Sequence, residues 1–203
     1  MNRPEPKRCY WCGSDPEYQR YHDEEWGFPV ADDTRLFEKM SLEGFQAGLS
    51  WLTILRKREN FRRAFKGFEI ERVARFNERS VARLLEDAGI VRHRGKIEAA
   101  IGNARCVRKL RDNEGSLAAF IWRFQPDSRT RPRRMTKQAL HALSETPESR
   151  ALSKELKARG FRFVGPTTMY AFMQAMGLVN DHLGVCATRE SVEQARARFR
   201  VPV

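Results

Sequence analysis

No part of this chain alternates apolar and polar residues for more than a few positions, which rules out a half-buried sheet as its framework. What recurs is the 3.6-residue period, punctuated by helix starts and stops. Asp33 or Thr34 can cap a helix that begins near Leu36. FRRAFKGF closes on Gly67 and Phe68. SVARLLEDAG opens on Ser80 and stops on Gly89, and KIEAAIGNARCVRKLRDN follows Gly95 as a further helix. Thr146-Pro147-Glu148 joins a cap, a first-turn proline and an acid at a helix start. LSKELKARG stops at Gly160, and TTMYAFMQAMGLV is apolar enough to be buried on most sides. The expected fold class is therefore all-α. With 203 residues, 41% of them hydrophobic, the chain suits one domain or two small helical lobes. Residues 125–137, QPDSRTRPRRMTK, read as an exposed flexible linker. Residues 1–7 and 187–203 read as peripheral tails, the second with a short charged helix.

One residue breaks the pattern. Along LFEKMSLEGFQAGLSW, the positions Leu36, Met40, Glu43 and Ala47 form the buried stripe of a helix, and Glu43 is a carboxylate. A buried acid is costly without a partner. A salt bridge to one of the many arginines would satisfy it. So would a bound cation, and the surrounding sequence is suited to a flat one. Tyr18, Tyr21 and His22 share a helical face, Trp26 follows, Trp11 lies just upstream, and Trp51 stands eight residues beyond Glu43. Aromatic walls stack a planar ligand and attract positive charge, and the carboxylate completes the match. Each aromatic taken alone reads as core.

The charge balance points to the partner. There are 38 Lys+Arg against 26 Asp+Glu, a net charge of +12, which favours a polyanion, nucleic acid first among them. LLEDAGIVRHRGKIEAAIGNAR reads as two helices joined by a short glycine turn, with Arg92, Arg94 and Lys96 around it. Gly89 and Gly95 would expose backbone N–H groups at a helix N-terminus, a natural phosphate seat. An ordinary helical hairpin with a solvated basic face is the alternative.

No apolar run approaches the roughly 20 residues of a membrane span, and MNRPEPKRCYW lacks the apolar stretch of a signal peptide. The expected location is the cytoplasm, where cysteines stay reduced and metal binding or burial accounts for them better than disulfides. Cys9-Tyr-Trp-Cys12 has the gap of a zinc knuckle, and His182-Leu-Gly-Val-Cys186 places two soft ligands one helical turn apart. With His22 there are five candidates for a four-ligand site, and spacing alone does not choose among them. Cys106 reads as core.

Taken together, RCYW, DPEYQRYHDEEWG, LFEKMSLEGFQAGLSW, RENFRRAF, DAGIVRHRGKI, LSKELKARGF and YAFMQAMGLVNDH resemble, in that order, the 3-methyladenine DNA glycosylase I family, over residues 8 to about 186. The resemblance implies the helix-hairpin-helix DNA glycosylase fold. It implies one structural zinc joining the chain ends through Cys9, His22, His182 and Cys186, with Cys12 spare. It implies hydrolytic release of 3-methyladenine from double-stranded alkylated DNA by a monomer after base flipping. The family's base pocket falls on Glu43 and Tyr21, with Trp51, Trp11, Tyr18 and Trp26, and Phe45 stands in the wall where some relatives carry glutamine. Leu49 is the expected wedge that fills the gap left by the base. Gly89, Arg92, Arg94, Gly95 and Lys96 are the expected phosphate contacts. Two alternatives remain: a non-catalytic zinc-stabilised DNA-binding domain, and a glycosylase of shifted alkylpurine specificity.

Overall fold

In chain order, the helices of the computed structural model, which describes residues 7–203, are α1 (Pro16–Glu24), α2 (Asp33–Gln46), α3 (Trp51–Arg56), α4 (Arg58–Ala64), α5 (Ile70–Ala74), α6 (Glu78–Glu86), α7 (Arg94–Glu114), α8 (Leu117–Trp122), α9 (Lys137–Ala142), α10 (Pro147–Ala158), α11 (Pro166–Ala175) and α12 (Arg189–Arg198). No strand occurs among the described residues, and none of their helices is long and apolar enough to cross a membrane. Most of the tail expected at residues 1–7 lies outside the described residues. Of it, Lys7 accepts a backbone hydrogen bond from Ala187 at 2.9 Å.

Helix α2 is the axis of the fold. It packs against α3, α7, α8 and α11. Leu36, Phe37, Met40, Leu42 and Phe45 are all buried, so the helix is enclosed on more than one stripe. Its cap is Asp32, whose carboxylate accepts from Arg35 N at 2.8 Å. Asp33, expected as the cap, reaches instead to the start of α8. There it accepts from Leu117 N and Ala118 N and pairs with Arg111 at 2.8 Å. A carboxylate at a helix N-terminus satisfies orphan N–H groups and favours the dipole. The α6 cap is Asn77, with Ser80 as the reciprocating third residue of a capping box. Thr146 caps α10 as expected, and its partner is Ser149.

Two segments expected to be loose are packed. In 125–137 the guanidinium of Arg131 reaches the buried Asp181 and donates to Tyr170 OH at 2.8 Å, while Met135 is buried and its carbonyl accepts from Gly184 N at 2.8 Å. The prolines and charges made this stretch look solvated, yet one arginine has a buried carboxylate to answer. The segment 187–203 forms α12, buries Val192, and sets Phe199 4.4 Å from the Trp122 ring. It is part of the packed body rather than a peripheral tail.

After α11 the chain turns back over residues 27–30, and Gly177 makes that approach feasible. Its φ is +77°, and a Cβ there would fall 2.5 Å from the backbone of Phe28 and Pro29. That backbone is held in place, since Gly27 N donates to Ala175 O and Val30 N to Met176 O. Gly177→Ala combines left-handed strain with overlap that no side chain can relieve, and is expected to cost about 3 kcal/mol. Urea denaturation tests this; a loss under about 1 kcal/mol would refute the close-approach argument.

Candidate active site

A cavity of about 250 Å³ opens between α1, the C-terminal half of α2, the start of α3, α9 and α11. Glu43, Tyr21, Trp51, Trp11, Tyr18 and Trp26 all line it. Four rings converge on Trp11: Trp26 at 4.9 Å, Tyr18 and His22 at 5.1 Å and Tyr21 at 6.5 Å. Trp51 closes the other side, 5.3 Å from Tyr21. The sequence reading missed Gln46 and Gln174, neutral amides inside segments singled out for other residues, and the apolar pair Leu140 and Leu143.

Phe45 is not in the wall. It is 1% exposed and packs against Phe61 at 4.6 Å and Phe65 at 5.7 Å. Two residues along a helix rotate a side chain by about 200°, so a residue two beyond Glu43 must face away from the cavity. The expected base contact at Phe45 is corrected to core.

Glu43 is 5% exposed, and its partner is no arginine. Lys39, one turn earlier on α2, places its ammonium 2.7 Å from Glu43 Oε1. The same Nζ donates to Tyr21 OH at 3.0 Å and stands 3.1 Å from the Trp51 ring centroid. Lys39 was missed although the i, i+4 spacing to Glu43 was readable. Burial pushes the Lys39 pKa down, with Glu43 acting against it. Burial, then the charge of Glu43, pushes Tyr21 well up, so it stays a neutral phenol. Burial also pushes Tyr18 up, to about 12. The nearby Glu25 is committed elsewhere, to a two-pronged pair with Arg58 at 2.5 and 2.9 Å. Glu43 is thus the acid of the cavity wall, among flat rings that can stack a planar group.

Two exposed features flank α2 and α7. The α2–α3 loop turns on Gly48, with φ +79°, and leaves Leu49 43% exposed. In the α6–α7 hairpin Arg92, His93 and Arg94 are exposed, and Gly95 is half-buried in the first turn of α7. Arg94 pairs with Glu78 at 2.7 Å and Glu98 at 3.4 Å. Gly89 packs closely, for a Cβ there would meet Asn60 at 3.1 Å, and its carbonyl accepts from Asn60 Nδ2. Lys96 is corrected. Its side chain is buried, donating to Phe45 O at 3.0 Å and Ala47 O at 2.5 Å. It satisfies the open carbonyls at the end of α2 rather than a phosphate, and in doing so ties the Leu49 loop to the hairpin.

Four buried ligands meet at the chain ends. The ligand atoms of Cys9, His22, His182 and Cys186 all lie within 4.8 Å of one another. Cys186 Sγ is 3.4 Å from His182 Nδ1 and 3.5 Å from His22 Nε2, and Cys9 Sγ is 3.7 Å from His182 Nδ1. Tetrahedral zinc with ordinary bond lengths separates sulfur and nitrogen ligands by about 3.5 Å. The outer nitrogens are also engaged: His22 Nδ1 meets Asp23 Oδ1 at 2.7 Å and His182 Nε2 meets Trp26 O at 2.9 Å. Such partners aim the inner nitrogens at a common point. The hydrogen bond from Cys9, with those from His182 and His22, pushes the Cys186 thiol well down, toward the thiolate a metal needs. Cys12 stands apart, its Sγ donating to Cys9 O at 3.1 Å. The four can hold a metal ion.

Comparison with known proteins agrees with this geometry. A family model described as methyladenine glycosylase matches residues 11–190. The chain is 51% identical to DNA-3-methyladenine glycosylase 1 of Escherichia coli (strain K12), over 89% of this chain and 95% of that protein. A crystal structure of 3-methyladenine DNA glycosylase I superposes with a TM-score of 0.81 at 48% identity, covering 89% of this chain and 98% of the other. A substituted 3-methyladenine DNA glycosylase I, solved in complex with 3-methyladenine, superposes with a TM-score of 0.80 at 35% identity, covering 90% and 97%.

Proposed function

This chain belongs to the methyladenine glycosylase family, and on that premise we propose that it hydrolyses the N-glycosidic bond of 3-methyladenine in double-stranded alkylated DNA. The observation that carries the reading is the buried carboxylate of Glu43 in a cavity walled by Trp11, Tyr18, Tyr21, Trp26 and Trp51. A domain that only held DNA would need no such cavity.

A base inside the duplex must first be turned out, at roughly a few kcal/mol, and damage lowers that cost. Leu49, exposed on its loop, would fill the gap. Methylation at N3 gives the base a positive charge. The C1′–N bond then breaks with its electron pair going to the base, which leaves neutral, while water adds to C1′ and gives up a proton. The leaving group is already good, so the protein's part is to bind and orient. Trp51 stacks the base, Glu43 answers its charge, and Tyr21 hydrogen-bonds it. The α6–α7 pair would serve as a helix-hairpin-helix, with Arg92, Arg94 and the backbone near Gly89 and Gly95 on phosphates.

Cys9, His22, His182 and Cys186 would hold one zinc ion, which with four protein ligands is structural. The reading takes the enzyme as a monomer acting in the cytoplasm. Phe45, being core, gives no ground for a shifted alkylpurine specificity.

The test is to incubate the protein with methylated duplex DNA and identify released bases by chromatography. Release of 3-methyladenine is expected. No release would leave only a DNA-binding domain, and equal release of 7-methylguanine would mark a broader enzyme. In parallel, Arg92→Ala should lower the salt slope of DNA binding by about one; an unchanged slope removes Arg92 from the interface.

A further inference from the structure

We propose that Lys39 is a specificity-determining residue: in the free protein its ammonium occupies the place of the cationic base, and only a base that brings its own positive charge displaces it without cost in charge balance. The proposal rests on the reading of the cavity as the base pocket.

The geometry supplies the argument. Lys39 Nζ holds the three contacts a flat cation would make there: the Trp51 ring, with its centroid 3.1 Å away, Glu43 Oε1 at 2.7 Å and Tyr21 OH at 3.0 Å. Stacked atoms need about 3.5–4 Å of their own, so lysine and base cannot share that site. The ammonium has somewhere to go. A smaller cavity of about 40 Å³ shares Lys39, Tyr21 and Trp51 with the larger one and is lined further on by Glu25 and Glu38, paired with Arg58 and Arg62, and by Arg35. Rotation about the lysine stem would carry the ammonium to the edge of that ion-pair network, where it would share the two carboxylates with their arginines.

The consequence is an exchange of cations. A neutral, undamaged purine that evicted Lys39 would leave the buried Glu43 with no counter-charge, which is unfavourable. A methylated purine replaces one cation by another. Once the glycosidic bond breaks, the base has lost its charge, and Lys39 returns to Glu43 and expels the product. Discrimination against neutral bases and release of the product then follow from one side chain.

The experiment uses wild-type protein carrying ¹³Cε-labelled lysine, with the Lys39 signal assigned by its loss in Lys39→Met. In the free protein that signal should be strongly upfield, shifted by the Trp51 ring current. Titration with the fixed-charge cation 3,9-dimethyladeninium should move it to the ordinary lysine position while the Trp51 indole signal also changes, whereas neutral 3-methyladenine should displace it far less. Folded Lys39→Met should bind free 3-methyladenine about tenfold more tightly, because no internal competitor remains. If Trp51 responds and Lys39 stays in place, the lysine and the base occupy different sites; the Lys39 proposal fails and the pocket stands. If Trp51 does not respond, the pocket assignment fails and the proposal with it. Unchanged or weaker base affinity in folded Lys39→Met also overturns the proposal.

Discussion

Cys9→Ser and His182→Ala are expected to purify without bound metal and to lose about 5 kcal/mol of stability, whereas Cys12→Ser keeps both its metal and its fold. The size follows from where the ligands lie in the chain. Cys9 and His22 come from the beginning, His182 and Cys186 from near the end. A cross-link that closes a loop of more than 100 residues removes about 4.7 kcal/mol of unfolded-chain entropy. That is a large part of a domain's usual 5–15 kcal/mol. The ligands have second duties that fail with them. Leu183 N donates to Cys9 Sγ at 3.4 Å, and His182 Nε2 bonds Trp26 O. Cys12 has no such role; burial pushes its thiol up, and that thiol donates its hydrogen bond to Cys9 O. Metal analysis and chemical denaturation of the three variants decide the matter. Equal metal loss in Cys12→Ser and Cys9→Ser would break the four-ligand assignment.

Glu43→Gln is expected to lose roughly 100-fold or more of base release, the equivalent of one buried charge-assisted hydrogen bond of about 3 kcal/mol, with DNA binding retained. The amide keeps the shape and one acceptor but not the charge. It also leaves the Lys39 ammonium buried beside a neutral group, and removing one member of a buried pair costs about 3–5 kcal/mol if the other stays charged. Lys39 has a way to soften this, since burial already lowers its pKa and the substitution removes the carboxylate that opposed that shift. The sign is then fixed. Between its folded pKa and the unfolded value of about 10.4, the unfolded state holds more protons, so stability rises with pH. The deficit of Glu43→Gln relative to wild type should therefore narrow from about pH 7 toward about pH 10. Wild-type release of 3-methyladenine by the variant would sink the assignment of Glu43. A deficit that does not change with pH would show that the loss does not come from Lys39.

Much of this architecture was legible because helices announce themselves locally. Thr146 and Gly160 bound a helix that exists, and the glycines of the α6–α7 turn lie where a hairpin forms. The cavity residues were legible for another reason: six aromatic and acidic side chains near each other in sequence had no ordinary core role for the acid. What escaped was pairing in three dimensions. Lys96 looked like a phosphate ligand because it sits among arginines, but a long flexible amine goes to the nearest unsatisfied carbonyls, and these belong to α2, some 50 residues earlier in the chain by the separations of 51 and 49. Arg131 was hidden in the same way by its partner Asp181. Lys39 differs from both, since its partner was one helical turn away. A chain with 38 Lys+Arg offers Glu43 many possible counter-ions, and only the fold selects the one on its own helix. Phe45 was placed in the wall by its position in the family resemblance, whereas the angle around the helix turns it into the core.

The clamp at the chain ends also sets an order of events during synthesis. Trp11 follows Cys9 by two residues, and the Trp26 carbonyl is held by His182. Two walls of the cavity are therefore anchored to residues that emerge from the ribosome more than 150 positions later, by the separation of 156 between Trp26 and His182. A nascent chain can complete α2, carry Glu43 and Lys39 in register, and present its basic hairpin while the cavity still lacks a fixed floor. Contacts of such long range form late. The half-made protein thus has its basic surface before it has a closed cavity, and the segment around His182 is the one that completes the site.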